Sequence, residues 1–196
     1  MKNIALYAGS FDPITIGHMD IIAASVNCFD KVILALIKNP SKPAIRHEKR
    51  LEWAERAING DYSYLKFLNP SISVDIVSYL DQNILTVDVA KKHNATFLVR
   101  GIKGVTSLEE EMQLSFNNDR LEPSIRTVWF PVSQNNYHVS SSAVRSILQC
   151  SDFSIKETTS ELFKKLSDKY LPHIITADVI EYFKNEILSE NIKKEK

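Results

Sequence analysis

Apolar and polar positions alternate along the chain in strand-length and helix-length units. Residues 4–7 form an apolar run that ends in three small residues, Ala8, Gly9 and Ser10. Residues 31–37, 72–77, 96–99 and 126–130 form four more short runs rich in Val, Ile, Leu and Phe. Runs of this length with little polar alternation are the pattern of parallel strands covered on both faces. Between them the apolar residues recur at helical spacing. In 20–29, Ile21, Ile22, Ser25, Val26 and Phe29 share a face, with Cys28 expected among them as a small core side chain. In 47–59, Leu51, Ala54, Ala57 and Ile58 lie inward, and Arg50, Glu52 and Glu55 lie on the surface. A shorter helix carries Leu85, Val89 and Ala90 and ends in water near His93. The helix at 107–121 packs through Met112, Phe116 and Leu121. Strand, helix and strand joined by short loops require right-handed crossovers, so this order predicts an α/β fold with a five-stranded parallel sheet flanked by helices.

The pattern changes after residue 150. Residues 151–169 are polar apart from an amphipathic piece at 161–166. Tyr170, Leu171 and Pro172 then lead into a final helix from about Thr176, with Val179, Ile180, Phe183 and Ile187 on one stripe. The expected organisation is a catalytic α/β domain over 1–150 and a helical extension over 151–196, whose lysine-rich end, 192–196, frays.

An open parallel sheet brings the tips of its strands to one carboxyl edge, where ligands bind. The first strand delivers Ser10 there. After Asp12 and Pro13, Thr15 stands three residues ahead of His18 at a helix entrance. Unpaired N–H groups and the dipole at a helix N-terminus suit a phosphate. His18 reads either as a donor to that anion or as a capping histidine. The second strand leads to Lys42, between Pro40 and Pro43, which is either aimed at the edge or simply solvated. The fourth delivers Arg100, Gly101, Ile102, Lys103 and Gly104. After the fifth, Ser140, Ser141 and Ser142 open another helix, with Arg145 on its first turns. One hydroxyl is enough for a cap, so three favour a second phosphate cradle. Glu111 serves the helix dipole, a ribose, or the Arg100 guanidinium.

Composition narrows the chemistry. The 196 residues carry 24 basic and 24 acidic side chains, so no net field steers the chain to nucleic acid or to a membrane surface. No run approaches the ~18 apolar residues of a membrane span. Two cysteines without metal-like spacing and without an export signal argue against both a metal cluster and a disulfide, and for a soluble cytoplasmic protein. There is no GxxxxGK[ST] loop, no GxSxG elbow, and no paired carboxylates at the edge. A site built from donors stabilises charge on phosphoryl oxygens and does not move protons. It suits a nucleophile that is already an anion, such as a phosphomonoester with a second pKa of about 6. Attack on the α-phosphorus of a nucleoside triphosphate is then nucleotidyl transfer, with Mg2+ held mainly by phosphates and water.

The segment GSFDPITIGH at 9–18 is similar to the Thr-x-Gly-His signature of the nucleotidyltransferase superfamily. Together with NPSK at 39–42, VRGIK at 99–103, the helix from Glu109 through Asn118 to Leu121, and VSSS at 139–142, it resembles the bacterial phosphopantetheine adenylyltransferase family over residues 3–148. The resemblance implies a Rossmann-like nucleotidyltransferase fold. The implied reaction joins ATP and 4′-phosphopantetheine into dephospho-coenzyme A and pyrophosphate. His18 would stabilise the transition state at the α-phosphate, and Lys42 would act beside it. Ser10, Lys42, Thr86 and Arg100 would hold the phosphopantetheine. Ser10, Phe11, His18, Gly101, Ile102, Lys103 and Glu111 would contact ATP, as would Asn136, Tyr137, His138, Val139, Ser140, Ser141 and Ser142. A homohexamer and feedback inhibition by coenzyme A are also implied. The chain departs from the family at Lys103 (commonly Arg), Ser107 (commonly acidic), Glu110 and His138 (commonly aromatic), and by an insertion within 151–169. The rival readings are an adenylyltransferase acting on nicotinamide mononucleotide or another phosphorylated acceptor, against which Thr15 speaks, and a nucleotide-binding regulator without turnover.

Overall fold

The computed structural model describes residues 2–39, 47–60, 65, 74–155 and 158–194. Five strands, β1 (Ile4–Gly9), β2 (Lys31–Ile37), β3 (Val74–Tyr79), β4 (Phe97–Ile102) and β5 (Arg126–Pro131), form one parallel sheet in the order β3-β2-β1-β4-β5. β1 is the central strand, with Ala5 and Leu6 wholly buried. It pairs with β2 from Ile4↔Lys31 to Gly9↔Leu36 and with β4 from Ala5↔Phe97 to Tyr7↔Val99. The chain builds outward from β1 through β2 to β3, then returns to the other side of β1 for β4. The order reverses between β1 and β4, which opens a crevice at their carboxyl ends.

Seven α-helices are present among the described residues. They are α1 (Ile16–Val26), α2 (His47–Asn59), α3 (Thr86–Lys92), α4 (Val105–Leu121), α5 (Ser141–Gln149), α6 (Thr158–Leu166) and α7 (His173–Lys194). Successive strand residues face opposite sides, and the core divides accordingly. Ala5, Tyr7, Leu34 and Leu36 join Ile21, Ile22, Trp53, Val144 and Leu148 on one face. Leu6, Ala8, Ile33 and Leu98 meet Val87, Val89 and Ala90 of α3 on the other.

The C-terminal segment enters the first of these cores. Leu162, Leu166, Leu171, Ile175, Val179 and Ile180 are buried in it. α7 is fastened to α2: Arg56 pairs with Asp178 and donates to the Ile174 carbonyl at 2.6 Å, and Trp53 meets Tyr182 edge-on at 5.6 Å.

Four sequence expectations fail here. Cys28 is exposed, not a core side chain, because it follows the last turn of α1. Arg50, expected on the surface, is 1% exposed, because its guanidinium reaches under the turn after β1 and donates to the Ser10 carbonyl at 3.1 Å. Met112, Phe116 and Leu121 do not pack inward: Phe116 is 61% and Leu121 58% exposed, because at 100° per residue Met112 and Leu121 lie on opposite sides of α4 and share no inward face. His93, expected in water, is half-buried with its ring against the Tyr79 hydroxyl at 3.0 Å. Among the described residues, no helix is long and apolar enough to cross a membrane.

Candidate active site

A cavity of about 490 Å³ lies at the reversal point, walled by the tips of β1, β2 and β4 and the mouths of α1 and α5. Ser10 and Phe11, from the turn that follows β1, line it. Phe11 sits there with φ 43°, in the left-handed region that is costly for a bulky residue. Such strain, on the order of 1–3 kcal/mol, persists when its surroundings impose it. Two arginines do so. Arg50 of α2 holds the Ser10 carbonyl and Arg145 of α5 the Asp12 carbonyl, one on each side of Phe11. The buried Asp12 carboxylate lies between them, 4.0 Å from Arg50 Nε and 3.4 Å from Arg145 Nη1. Gly9 lets the Phe11 ring lie close beside this turn, because a Cβ there would meet it at 3.0 Å and push it aside.

The mouth of α1 carries His18. The Thr15 backbone N–H donates to His18 Nδ1 at 3.0 Å, so Nδ1 is assigned as the acceptor and the ring proton belongs on Nε2. Burial, with the charges of Lys103 and Arg100 adding to it, lowers the His18 pKa to about 3. Near neutral pH the ring is therefore an uncharged donor. The two readings of His18 merge: Nδ1 caps the helix, and that cap fixes which nitrogen can serve the cavity. Phe11 packs edge-on against the imidazole, at 5.0 Å between centroids.

β4 supplies the cations. Arg100 Nε and Nη2 donate to the two Glu111 oxygens at 2.5 and 2.8 Å, and Nη1 donates to the Ala8 carbonyl at 3.0 Å. Burial works against its charge, but the Glu111 bonds outweigh it and its pKa is raised. The guanidinium is thus fixed in direction, and Glu111 takes the last of its three sequence-based roles. Lys103 donates to the Val139 carbonyl, and burial lowers its pKa. Ser107 caps α4. Its hydroxyl oxygen accepts the N–H groups of Lys103 and Gly104 at 2.9 and 3.0 Å.

The serines at α5 divide their work differently from the expected triple hydroxyl cradle. Ser140 Oγ accepts the Ala143 N–H, Ser141 Oγ donates to the Pro13 carbonyl at 2.8 Å, and Ser142 Oγ accepts from Arg145. All three line the cavity, but what they offer an anion is chiefly the first-turn N–H groups of Ser141 and Ser142, which have no acceptor inside the helix.

Of the other residues singled out by sequence, Ser10, Phe11, Thr86, Gly101 and Val139 line the cavity, with Thr86 at the start of α3. Ile102, Asn136, Tyr137 and His138 are not part of its wall. The Ile102 carbonyl accepts the Val132 N–H, and Asn136 donates to Asp20 at 2.7 Å. Tyr137 shields Gly104, and His138 packs on Tyr170. Lys42 lies outside the described residues, although Lys38 and Asn39, just before it, line the cavity. Sequence reasoning missed Asp20, which also accepts from Ser133 and so holds the loop before α5, and it missed the clamp of Arg50 and Arg145 on the Phe11 turn. No local pattern announces either contact.

The cytidylyltransferase-like family model matches residues 6–147. A phosphopantetheine adenylyltransferase of Campylobacter concisus is 39% identical over 150 residues, covering 76% of this chain and 88% of that protein. One from Caldanaerobacter subterraneus is 34% identical over 182 residues, covering 92% of this chain and 98% of that protein. Among solved structures, the nicotinic acid mononucleotide adenylyltransferase of Plasmodium falciparum complexed with NaAD superposes with a TM-score of 0.65. It is 19% identical and covers 93% of this chain and 96% of its own, a likeness of fold.

Proposed function

Because the chain belongs to the phosphopantetheine adenylyltransferase family of cytidylyltransferase-like proteins, we propose that it transfers the adenylyl group of ATP to 4′-phosphopantetheine, forming dephospho-coenzyme A and pyrophosphate. The observation that carries this reading is one cavity into which His18, Arg100, Lys103 and the mouth of α5 all open. Its carboxylate among the described lining residues, Glu111, is engaged by Arg100. A phosphopantetheine dianion supplies its own electron pair, so no general base is needed. Its oxygen bonds to the α-phosphorus as the bond to the β-phosphate oxygen breaks, and pyrophosphate leaves with that electron pair.

His18 Nε2–H donates to the α-phosphate oxygens as their charge grows, which is where a preorganised donor acts most strongly. Arg100, held by Glu111, and Lys42, beyond the β2 tip, hold the acceptor phosphate, with Ser10 and Thr86 on the same side. Gly101, Ile102, Lys103 and the loop from Asn136 to Ser142 serve the ATP side; Asn136, Tyr137 and His138 do so by shaping the loop. Lysine at 103 offers a point charge where arginine would grip two oxygens. Mg2+ would accompany the triphosphate, held mainly by phosphates and water, and would offset charge on the leaving pyrophosphate. The catalytic domain over 1–150 works in the cytoplasm as a homohexamer, and coenzyme A, which shares the pantetheine arm and the adenylyl group of the product, inhibits at this cavity.

Pyrophosphate release from ATP and Mg2+ with each acceptor tests the reading. Phosphopantetheine should be adenylylated faster than nicotinamide mononucleotide. A preference for nicotinamide mononucleotide would assign the chain to the rival acceptor, and ATP binding without pyrophosphate from any acceptor would make it a regulator.

A further inference from the structure

Tyr170 touches both mouths of the cavity from outside it. α6 ends in a tight turn in which the Leu166 carbonyl accepts the N–H groups of Tyr170 at 2.9 Å and Leu171 at 3.0 Å, while Asp168 N donates to the Leu171 carbonyl at 2.9 Å. Leu162, Leu166 and Leu171 anchor this turn in the same core that holds Phe11, Ile14 and Met19. The Tyr170 carbonyl, so directed, accepts the N–H of Ile16 at 3.0 Å. Ile16 is the first residue of α1, two residues before His18. The ring of the same tyrosine meets His138 edge-on, with 5.2 Å between centroids. His138 directly precedes Val139, whose carbonyl takes the Lys103 ammonium, and Ser140, which caps α5.

We infer that Tyr170 is a positioning residue for adenylyl transfer. Its carbonyl sets the catalytic helix, and its ring sets the nucleotide-side loop through His138. The turn after α6 is thereby a strut that holds the two anion-binding helix mouths at a fixed separation. Reacting groups tolerate little misplacement, so this separation governs how the triphosphate lies against His18. The inference rests on the adenylyltransferase reading but not on the identity of the acceptor.

A double-mutant cycle on the full chain tests the ring, with ATP affinity measured by calorimetry and KM and kcat by pyrophosphate release. Tyr170→Ala should weaken ATP binding roughly 3- to 10-fold, the scale of one edge-to-face pair, and leave the phosphopantetheine KM within about twofold. Tyr170→Phe keeps the ring and should restore ATP affinity. In the His138→Ala background, Tyr170→Ala should add nothing further. Additive losses, equal losses for both substrates, or a Phe variant as weak as the Ala variant would overturn the inference. Ile16→Pro tests the carbonyl without disturbing the core. Proline suits the first helical position, and Thr15, at φ −128° and ψ 167°, already has the backbone a residue before proline prefers. That variant should keep its ATP affinity and lose at least about threefold in kcat; an unchanged kcat would contradict the strut. Calorimetry reads ATP whatever the acceptor is, so a wrong acceptor and a wrong role for Tyr170 give different results.

Discussion

At the scale of the residue, one hydrogen bond decides what His18 can do. The Thr15 N–H on Nδ1 places the ring proton on Nε2, and burial keeps the imidazole neutral. Its pKa of about 3 in the folded chain stands against about 6.5 unfolded. Between these values the unfolded chain binds a proton that the folded chain does not, so stability falls as pH drops through that window. Activity near neutrality is a separate matter. The acidic limb of kcat/KM should lie near pH 6, where the acceptor phosphate takes up its second proton, and His18 should contribute nothing to it. Ring-proton NMR of the folded chain should accordingly show no His18 titration between pH 8 and 5. A midpoint near 6.5 would mean that burial does not hold the ring neutral. The sequence already displayed Thr15 three residues before His18, which suggested a cap or a phosphate donor. It did not reveal that the cap selects the tautomer, because that depends on the rotamer and on Phe11 and Lys103 around it.

At the scale of the element, β2 and α2 were legible to the residue, since a continuous apolar run and a clean amphipathic stripe each admit one packing. Arg50 was not. A charged residue on a helix is ordinarily placed in water, and its burial here is set by the Ser10 and Asp12 turn, which comes from another part of the chain. α4 fails in the opposite sense. Its apolar residues at helical spacing were read as core, but Met112, Leu114, Phe116 and Leu121 are exposed on the isolated chain. Apolar periodicity records that a face is covered, not which chain covers it. The proposed hexamer would cover the face that Met112 and Phe116 share, one turn apart on α4. Met112→Glu with Phe116→Glu should therefore shift the sedimentation coefficient to that of smaller species while each chain stays folded. An unchanged assembly would place the interface elsewhere.

At the scale of the whole molecule, the reversal of strand order between β1 and β4 makes the cavity, and elements far apart in sequence fill it. Parallel strand tips were enough to foresee that Ser10, Arg100 and the serines before α5 would meet, because every such tip reaches the same edge. The contacts that brace the arrangement were beyond reach of the sequence. Tyr170 on Ile16, Arg145 on Asp12 and Asp20 on Asn136 each join distant segments, and no periodicity encodes such a pairing. In the proposed reaction this bracing presents His18 as a neutral donor to the transition state and not as a ligand for ground-state ATP. Comparing ATP affinity with single-turnover rate in His18→Ala tests that claim most directly. The rate should fall at least ~100-fold, the scale of one lost transition-state donor, with ATP affinity nearly intact; equal losses in binding and rate would contradict it.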